Sequence, residues 1–171
     1  MRRFLRGIGC SLFAAVLLSF SFEAKAQDPP PSGGFKNAYL TLNKSGKVVL
    51  TYTLWDQQVT KGNYTLAFFW ASWSDEAREE VPYVQAVYKK YSGKVKVLGV
   101  TYGDEIQDSM DAIPEWGMTF PHFVFVEDAA PDGQFDIDSI PLTILFGPDG
   151  NIIARDMHGE DIEKAVVEAL K

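Results

Sequence analysis

The sequence is poorest in cysteine: its 171 residues include a single one, Cys10. A lone cysteine cannot form a disulfide within its own chain, and it cannot supply the several thiolates of a structural zinc site. Histidine is nearly as scarce, with His122 and His158 as the two. Sites built from several thiolates, or from three or more imidazoles, are therefore excluded.

Basic residues are also fewer than acidic ones. The chain has 16 lysines and arginines against 23 aspartates and glutamates, which gives a net charge of −7. Because nucleic acids and anionic lipid surfaces attract basic proteins, an acidic chain is repelled by both. We therefore predict no nucleic-acid partner.

Long hydrophobic runs are absent as well, and the most apolar block is IGCSLFAAVLLSFSF at residues 8–22. This block is shorter than the roughly 20 residues that a membrane-spanning helix needs. Three arginines precede it and the triplet A-K-A at residues 24–26 follows it, an order that predicts a secretory signal peptide over residues 1–26. The alternative is an uncleaved membrane anchor.

Cleavage of residues 1–26 would change two properties of the chain. The segment holds four basic residues and one acidic residue, so its removal lowers the net charge from −7 to −10. It also removes Cys10, which leaves a mature protein without thiols. We expect this protein to be exported, either periplasmic or secreted, with no membrane span after cleavage.

The remaining sequence predicts a linker over residues 27–35 and one α/β domain over residues 36–171. The runs AYLTL and KVVLTYTL, split by N-K-S-G, predict a β-hairpin. Continuous apolar runs such as LAFFW and VKVLGV are typical of strands covered on both faces. The order hairpin, β, α, β, α, variable segment, β, β, α predicts a mixed central sheet with helices on both faces.

Proline and glycine suggest where the elements end. We predict a helix that begins at Ala77, is kinked at Pro82 and ends at Ser92-Gly93. A second helix is predicted from Asp104 to Ile113, with Pro114 ending it. A strand over residues 120–126 and a polar loop over residues 127–134 follow.

Several segments resemble one family. They are LAFFWASW, EEVP, DSIPLTILFGPDGNIIARDMHG and the C-terminal helix. Together they resemble the secreted thioredoxin-like proteins of the TlpA/ResA type, which are grouped with the AhpC/TSA proteins. The resemblance covers residues 36–171 and implies a thioredoxin-like fold with the hairpin as an N-terminal extension. It also implies a cis bond at Ile140-Pro141 and, as the family activity, thiol-disulfide exchange or peroxide reduction.

The chain differs from this family in the residues at the reactive positions. The W-C-x-x-C motif of the family falls on Trp73, Ser74, Asp75, Glu76 and Ala77. Ser74 stands at the attacking cysteine and Ala77 at the resolving one. Because the exchange reaction needs a thiolate, neither residue can take over the family's role.

Ser74 has two further interpretations. As the nucleophile of a hydrolase it would need an adjacent general base; we expect His158 to lie away from the site and His122 to lie nearer its rim. As a helix N-cap it would accept a backbone hydrogen bond, with Asp75 and Glu76 placing negative charge in the first turn. We favour the cap and predict no catalytic residue.

Pro141 marks a candidate peptide groove. The resemblance implies that this proline faces the degenerate motif, with Trp73 and Ile140 flanking a groove that takes an extended peptide by strand-like pairing. The alternative is that Pro141 serves folding alone.

His122 and nearby acidic residues raise the question of a metal. The carboxylates are those of Glu127, Asp128, Asp132, Asp136 and Asp138. Their spacing does not fit a calcium loop, so we predict a solvated acidic loop, no metal and no cofactor. The aromatic residues Tyr83, Tyr88, Tyr91 and Trp116 are expected in the core or at its edge.

The sequence therefore supports a non-catalytic module that binds a peptide or an envelope protein. The alternative keeps the family activity, thiol-disulfide or peroxide chemistry, exercised through a partner's thiols. A third possibility is a protein without independent activity. The oligomeric state does not follow from these patterns.

Overall fold

The computed structural model describes residues 36–59, 62–124 and 135–171. Their elements, in chain order, are β1 (Lys36–Leu42), β2 (Val48–Leu54), α1 (Trp55–Gln58), β3 (Tyr64–Trp70), α2 (Asp75–Lys90), β4 (Val95–Thr101), α3 (Ile106–Glu115), β5 (His122–Val124), β6 (Leu142–Phe146), β7 (Ile152–Arg155) and α4 (Glu160–Ala169). The predicted signal peptide, linker and polar loop lie outside these residues and stay predictions.

The strands form one mixed sheet in the order β2-β1-β5-β4-β3-β6-β7. Strand β4 lies parallel to both β3 and β5, and every other neighbouring pair is antiparallel. The parallel centre is built from the continuous apolar runs, which are buried along nearly their whole length. The predicted hairpin is confirmed as β1 and β2, paired over seven residues.

Alternate residues of β3 feed two cores. Leu66, Phe68 and Trp70 pack on one face with apolar residues of α2, α3 and α4. Phe69 lies on the opposite face, where it packs with Trp55 of α1 and with Phe135. Because successive side chains of a strand point to opposite faces, one apolar run supplies both layers. The predicted mixed sheet with helices on both faces is confirmed.

Pro82 lies inside its helix as predicted, whereas Pro114 interrupts the next helix less than the sequence predicted. Helix α2 continues through Pro82, and α3 includes Pro114 in its last turn. The stop predicted before Pro114 is wrong, because the N–H of Trp116 reaches the carbonyl of Ala112 at 2.8 Å and closes the turn around the proline. Gly117, with a φ of 70°, follows the helix end. Among the described residues no helix has both the length and the apolar character needed to cross a bilayer.

Candidate functional site

The first turn of α2 begins at Ser74, and this confirms the predicted helix cap. Ser74 has an extended backbone, and its Oγ accepts a hydrogen bond from the N–H of Ala77 at 3.1 Å. Asp75 and Glu76 lie in the first turn, where the positive end of the helix dipole favours negative charge. Both Ser74 and Ala77 are buried. The hydroxyl of Ser74 is therefore part of the helix start.

The geometry does not give Ser74 an imidazole as general base. Besides capping Ala77, its hydroxyl donates to Glu76 Oε2 at a long 3.4 Å. Both imidazoles make their hydrogen bonds elsewhere, His158 with Glu80 and His122 with Trp70. A nucleophilic serine needs a base within hydrogen-bond reach of its hydroxyl. Ser74 lacks an imidazole partner within the described part of the chain.

Trp73 is held by the loop that follows β4. Its indole Nε1 donates to the carbonyl of Gly103 at 2.9 Å, and 64% of the residue is exposed. The preceding Ser72 donates from its N–H and its hydroxyl to Asp104, at 2.8 and 2.7 Å, and Ser109 donates to the same carboxylate at 2.9 Å. Asp104 thus fixes the turn that presents Trp73.

Asp104 was not predicted as a site residue, although the sequence contains a signal for it. Ser72 follows β3 and Asp104 follows β4, and these two strands are parallel neighbours. Residues that come directly after adjacent parallel strands meet at one edge of the sheet. A carboxylate and a hydroxyl in these two positions could therefore have been paired from the sequence.

A groove lies beside Pro141, and the Ile140-Pro141 bond is cis, as predicted. The groove has a volume of about 610 Å³. It runs between the start of α2 and the loops that precede β6 and α4. Its lining is formed by Glu76, Glu79, Glu80, Tyr83, Ser139, Ile140, Pro141, His158 and Gly159. The structure thus brings the predicted residues Ile140, Pro141 and Glu76 together, while Trp73 is outside this lining.

His158 lies in the groove, so the expectation that it lies away from the site is wrong. His158 is held in this position by Glu80. The carboxylate of Glu80 contacts His158 Nδ1 at 3.1 Å and accepts a hydrogen bond from the N–H of Gly159 at 2.8 Å. The loop before α4 is therefore anchored to α2, which places the imidazole opposite Pro141. This contact joins residues 78 positions apart, a separation that no local pattern reveals.

His122 is fully buried, so the expectation that it approaches the rim is also wrong. Its Nδ1 accepts the indole N–H of Trp70 at 3.1 Å, and Phe120 packs against the ring. Burial lowers the pKa of His122 to about 3, which keeps the imidazole neutral at physiological pH. This histidine is a core residue in the short strand β5.

The acidic residues proposed with His122 do not surround it. Asp136 and Asp138 are exposed, whereas His122 lies within the core. Glu127, Asp128 and Asp132 fall outside the described residues. Over residues 36–59, 62–124 and 135–171, no three His, Cys, Asp or Glu side chains are grouped as metal ligands would be.

The aromatic residues divide between core and groove. Three of them, Tyr88, Tyr91 and Trp116, pack against the core on the face of the sheet that α2, α3 and α4 cover, as expected. Tyr83 is 43% exposed, packs in neither core cluster and lines the groove, so the expectation that it lies in the core or at its edge is wrong. Since α2 presents one face to the sheet, Tyr83 falls on the side that faces α4 and the groove.

The groove carries negative charge. Glu76 and Glu79 are exposed and form no salt bridge with any described residue. The nearby cation of Arg78 is engaged elsewhere, paired with Glu115 at 3.4 Å and lying over the ring of Trp116. The lining therefore offers two unpaired carboxylates and one exposed aromatic ring.

Comparison with known proteins identifies relatives of this chain. A family model described as thioredoxin-like matches residues 62–152. The chain is 25% identical over 114 residues to the thioredoxin-like protein YneN of Bacillus subtilis, covering 65% of each protein. It is 24% identical over 94 residues to the thiol-disulfide oxidoreductase ResA of the same bacterium, covering 54% of this chain and 52% of ResA. The chain thus spans between half and two thirds of these relatives.

Solved structures share the fold. The thioredoxin domain of a thiol-disulfide oxidoreductase from Bacteroides vulgatus has a TM-score of 0.67 at 22% identity, covering 85% of this chain and 98% of that one. A thiol-disulfide oxidoreductase from Bacteroides fragilis has a TM-score of 0.64 at 23% identity, covering 82% and 98%. These likenesses confirm the thioredoxin-like fold. The family model spans more than half of the sequence, and the chain belongs to the thioredoxin-like family.

Proposed function

We propose that this protein is an exported thioredoxin-like module that binds an extended segment of a peptide or an envelope protein and has no thiol chemistry of its own. The observation that carries the proposal is the combination at one place of an open groove and an unreactive helix start. The groove lies beside Pro141, and the hydroxyl of Ser74 is engaged as the cap of α2. Export is supported by the signal-peptide pattern of residues 1–26.

The groove suits an extended segment in size and in shape. Its volume of about 610 Å³ falls within the range of roughly 300–1,000 Å³ that is usual for ligand pockets. Residues 139–141 line it just before β6 begins, so this segment forms part of the groove wall. An extended peptide can pair with main chain of this kind while its side chains enter the groove.

The charge of the groove indicates what the bound segment carries. Glu76 and Glu79 lack cationic partners among the described residues, and a lysine or arginine of the peptide would supply them. The exposed ring of Tyr83 offers a face over which such a cation can lie. We therefore expect basic extended segments to be preferred over acidic ones.

Selection from a displayed library of random peptides tests the proposal. The wild-type protein is the target, Ile140→Arg is the counter-target because it adds bulk and positive charge to the groove wall, and Lys94→Ala at the exposed turn after α2 is the matched control. We expect enriched peptides to be basic, to bind wild type and Lys94→Ala alike, and to lose binding to Ile140→Arg. Failure to enrich any peptide, or equal binding to all three proteins, would contradict the proposal.

A second candidate function is thiol-disulfide exchange, favoured by the names of relatives such as ResA. It requires a thiol from a partner, because Ser74 and Ala77 stand at the reactive positions. Insulin reduction and peroxide consumption by a Cys10→Ser chain, with and without added dithiol protein, distinguish the two functions. Turnover above the protein-free control, or above that of the added dithiol protein alone, would support this candidate against the peptide-binding module.

A further inference from the structure

A second cavity adjoins the groove beside Pro141. It has a volume of about 520 Å³ and lies between α2 and α4. Tyr83 and Gly159 belong to the linings of both cavities. Because the two cavities share part of one wall, a segment that occupies the groove can extend past Tyr83 into the space between the helices.

This second cavity, the interhelical cleft, has an apolar wall. Tyr83 and Ala86 of α2 and Val167 of α4 line it. Tyr83 is 43% exposed and Val167 41%, and Ala86 is exposed as well. Single apolar residues on a surface are normal, but these come from two helices and line one concave space. The cleft therefore offers contact surface to an apolar side chain.

The charged residues of the interhelical cleft are paired, unlike those of the groove. The pairs are Glu160 with Lys164, Glu163 with Lys90 and Glu168 with Lys171. In the groove, by contrast, Glu76 and Glu79 form no salt bridge with any described residue. The groove is thus complementary to a cation, whereas the cleft is complementary to an uncharged apolar group.

The geometry of α2 sets the spacing between these two sites. Ala86 follows Glu76 by ten residues and Glu79 by seven, which corresponds to about 15 and 10 Å along a helix that rises about 1.5 Å per residue. An extended segment covers about 13 Å in four residues, and its residues i and i+4 point to the same side. A segment that runs beside α2 therefore reaches both sites with side chains four positions apart.

We propose that the bound segment carries two recognition residues, a lysine or arginine and a large apolar residue four positions away. The basic side chain lies in the groove with Glu76 and Glu79, and the apolar side chain lies in the interhelical cleft against Tyr83 and Val167. This inference rests on the proposed function, and it adds the second residue and the spacing. Either order of the two residues along the segment satisfies it.

The peptides that wild type enriches from a displayed random library provide the first test. We expect a large apolar residue to recur four positions from the basic one, and its replacement by serine to weaken binding about tenfold, as the loss of a buried aliphatic side chain does. Basic peptides without an apolar preference at that position would overturn this inference and leave the proposed function standing. If no peptide is enriched, both fail.

A matched pair of protein variants provides the second test. Val167→Gln removes the apolar contact without adding charge, and Val49→Gln makes the same change at a valine that is 38% exposed on β2, the outermost strand of the described sheet. We expect Val167→Gln to weaken binding of an enriched peptide about fivefold, and Val49→Gln to leave it unchanged. The serine version of the peptide should bind all three proteins alike.

The serine peptide separates a local contact from a general effect of the substitution. If Val167→Gln weakens the apolar and serine peptides by the same factor, the apolar residue does not lie in the interhelical cleft, and the inference fails. Equal binding of the apolar peptide to wild type and Val167→Gln would also overturn it. Loss of the same peptides on Ile140→Arg would still support the proposed function in either case.

Discussion

At the scale of single residues, the buried imidazole of His122 is closely surrounded by its neighbours. The ring lies between Trp70, which donates to its Nδ1, and Phe120, whose ring centroid is 4.8 Å away. A Cβ on Gly99 would lie 1.9 Å from the same nitrogen. Glycine is therefore required at position 99 because the histidine occupies the space that any side chain would need. The stability of the fold should therefore depend on pH and on the side-chain volume at positions 99 and 122.

The stability of the fold should depend on pH through His122. The unfolded residue titrates near pH 6.5, whereas burial lowers its pKa in the folded chain to about 3. Between these values the unfolded state binds a proton that the folded state does not, so stability is full above about pH 6.5 and is lost as the pH falls. The loss can reach about 1.4 kcal/mol for each pH unit.

Urea denaturation at several pH values between 7.5 and 4.5 measures this effect. The comparison is His122→Gln, which can accept the hydrogen bond of Trp70 but does not titrate. We expect the free energy of unfolding of wild type to fall more steeply with acid than that of the variant. A difference between the two proteins that stays constant with pH would show that His122 does not carry the dependence.

Substitution of Gly99 should be strongly destabilising. Gly99→Ala forces the ring of His122 away from the indole of Trp70, and we expect it to lower the free energy of unfolding by about 3 kcal/mol, the upper part of the range for overfilled cores. His122→Ala removes the clash. In the double variant, the cost should therefore be clearly smaller than the sum of the two single costs. Additive costs in urea denaturation would contradict the contact.

At the scale of elements, the start of α2 depends on its cap. Ser74→Ala removes the oxygen that accepts the N–H of Ala77, and we expect it to lower the free energy of unfolding by about 1 kcal/mol. Ser74→Gly should cost a few tenths of a kcal/mol, because glycine is tolerated at N-caps. Urea denaturation of the three proteins measures both changes. A cost of Ser74→Ala within a few tenths of a kcal/mol of zero would show that the hydroxyl does not stabilise the start of α2.

The elements were predictable from the sequence where their signal is local. The hairpin, the strands around β3 and the cap at Ser74 follow from periodicity and from residue type, and the structure confirms them. Contacts between distant segments were not predictable in this way. The pairing of Glu80 with the loop before α4 placed His158 in the groove, and a shared core enclosed His122. The prediction from the sequence therefore placed His158 away from the site and His122 near its rim, whereas the structure places His158 in the groove and His122 in the core.

At the scale of the whole molecule, the groove lies toward one side of the sheet. It lies beside Pro141, which precedes β6, and β6 is next to the last strand of the described sheet. The chain has a cis proline at Ile140-Pro141 and a helix N-terminus at Ser74; on the proposed function, two thiols at Ser74 and Ala77 are what it needs for the family chemistry.

Restoring those side chains should restore the reaction. In a Cys10→Ser chain, Ser74→Cys/Ala77→Cys places a thiol at the helix N-terminus, where unpaired N–H groups and the dipole stabilise a thiolate, and a second thiol one turn further on. We expect this variant to reduce insulin above the background of the Cys10→Ser chain, and Ser74→Cys alone to give no turnover because it lacks the resolving thiol. The carboxylates of Asp75 and Glu76 oppose thiolate formation, so adding Glu76→Gln should increase the rate further. If the folded double-cysteine variant forms the disulfide yet reduces no insulin, the groove beside Pro141 does not admit a disulfide substrate, and the scaffold differs from the family in more than two side chains.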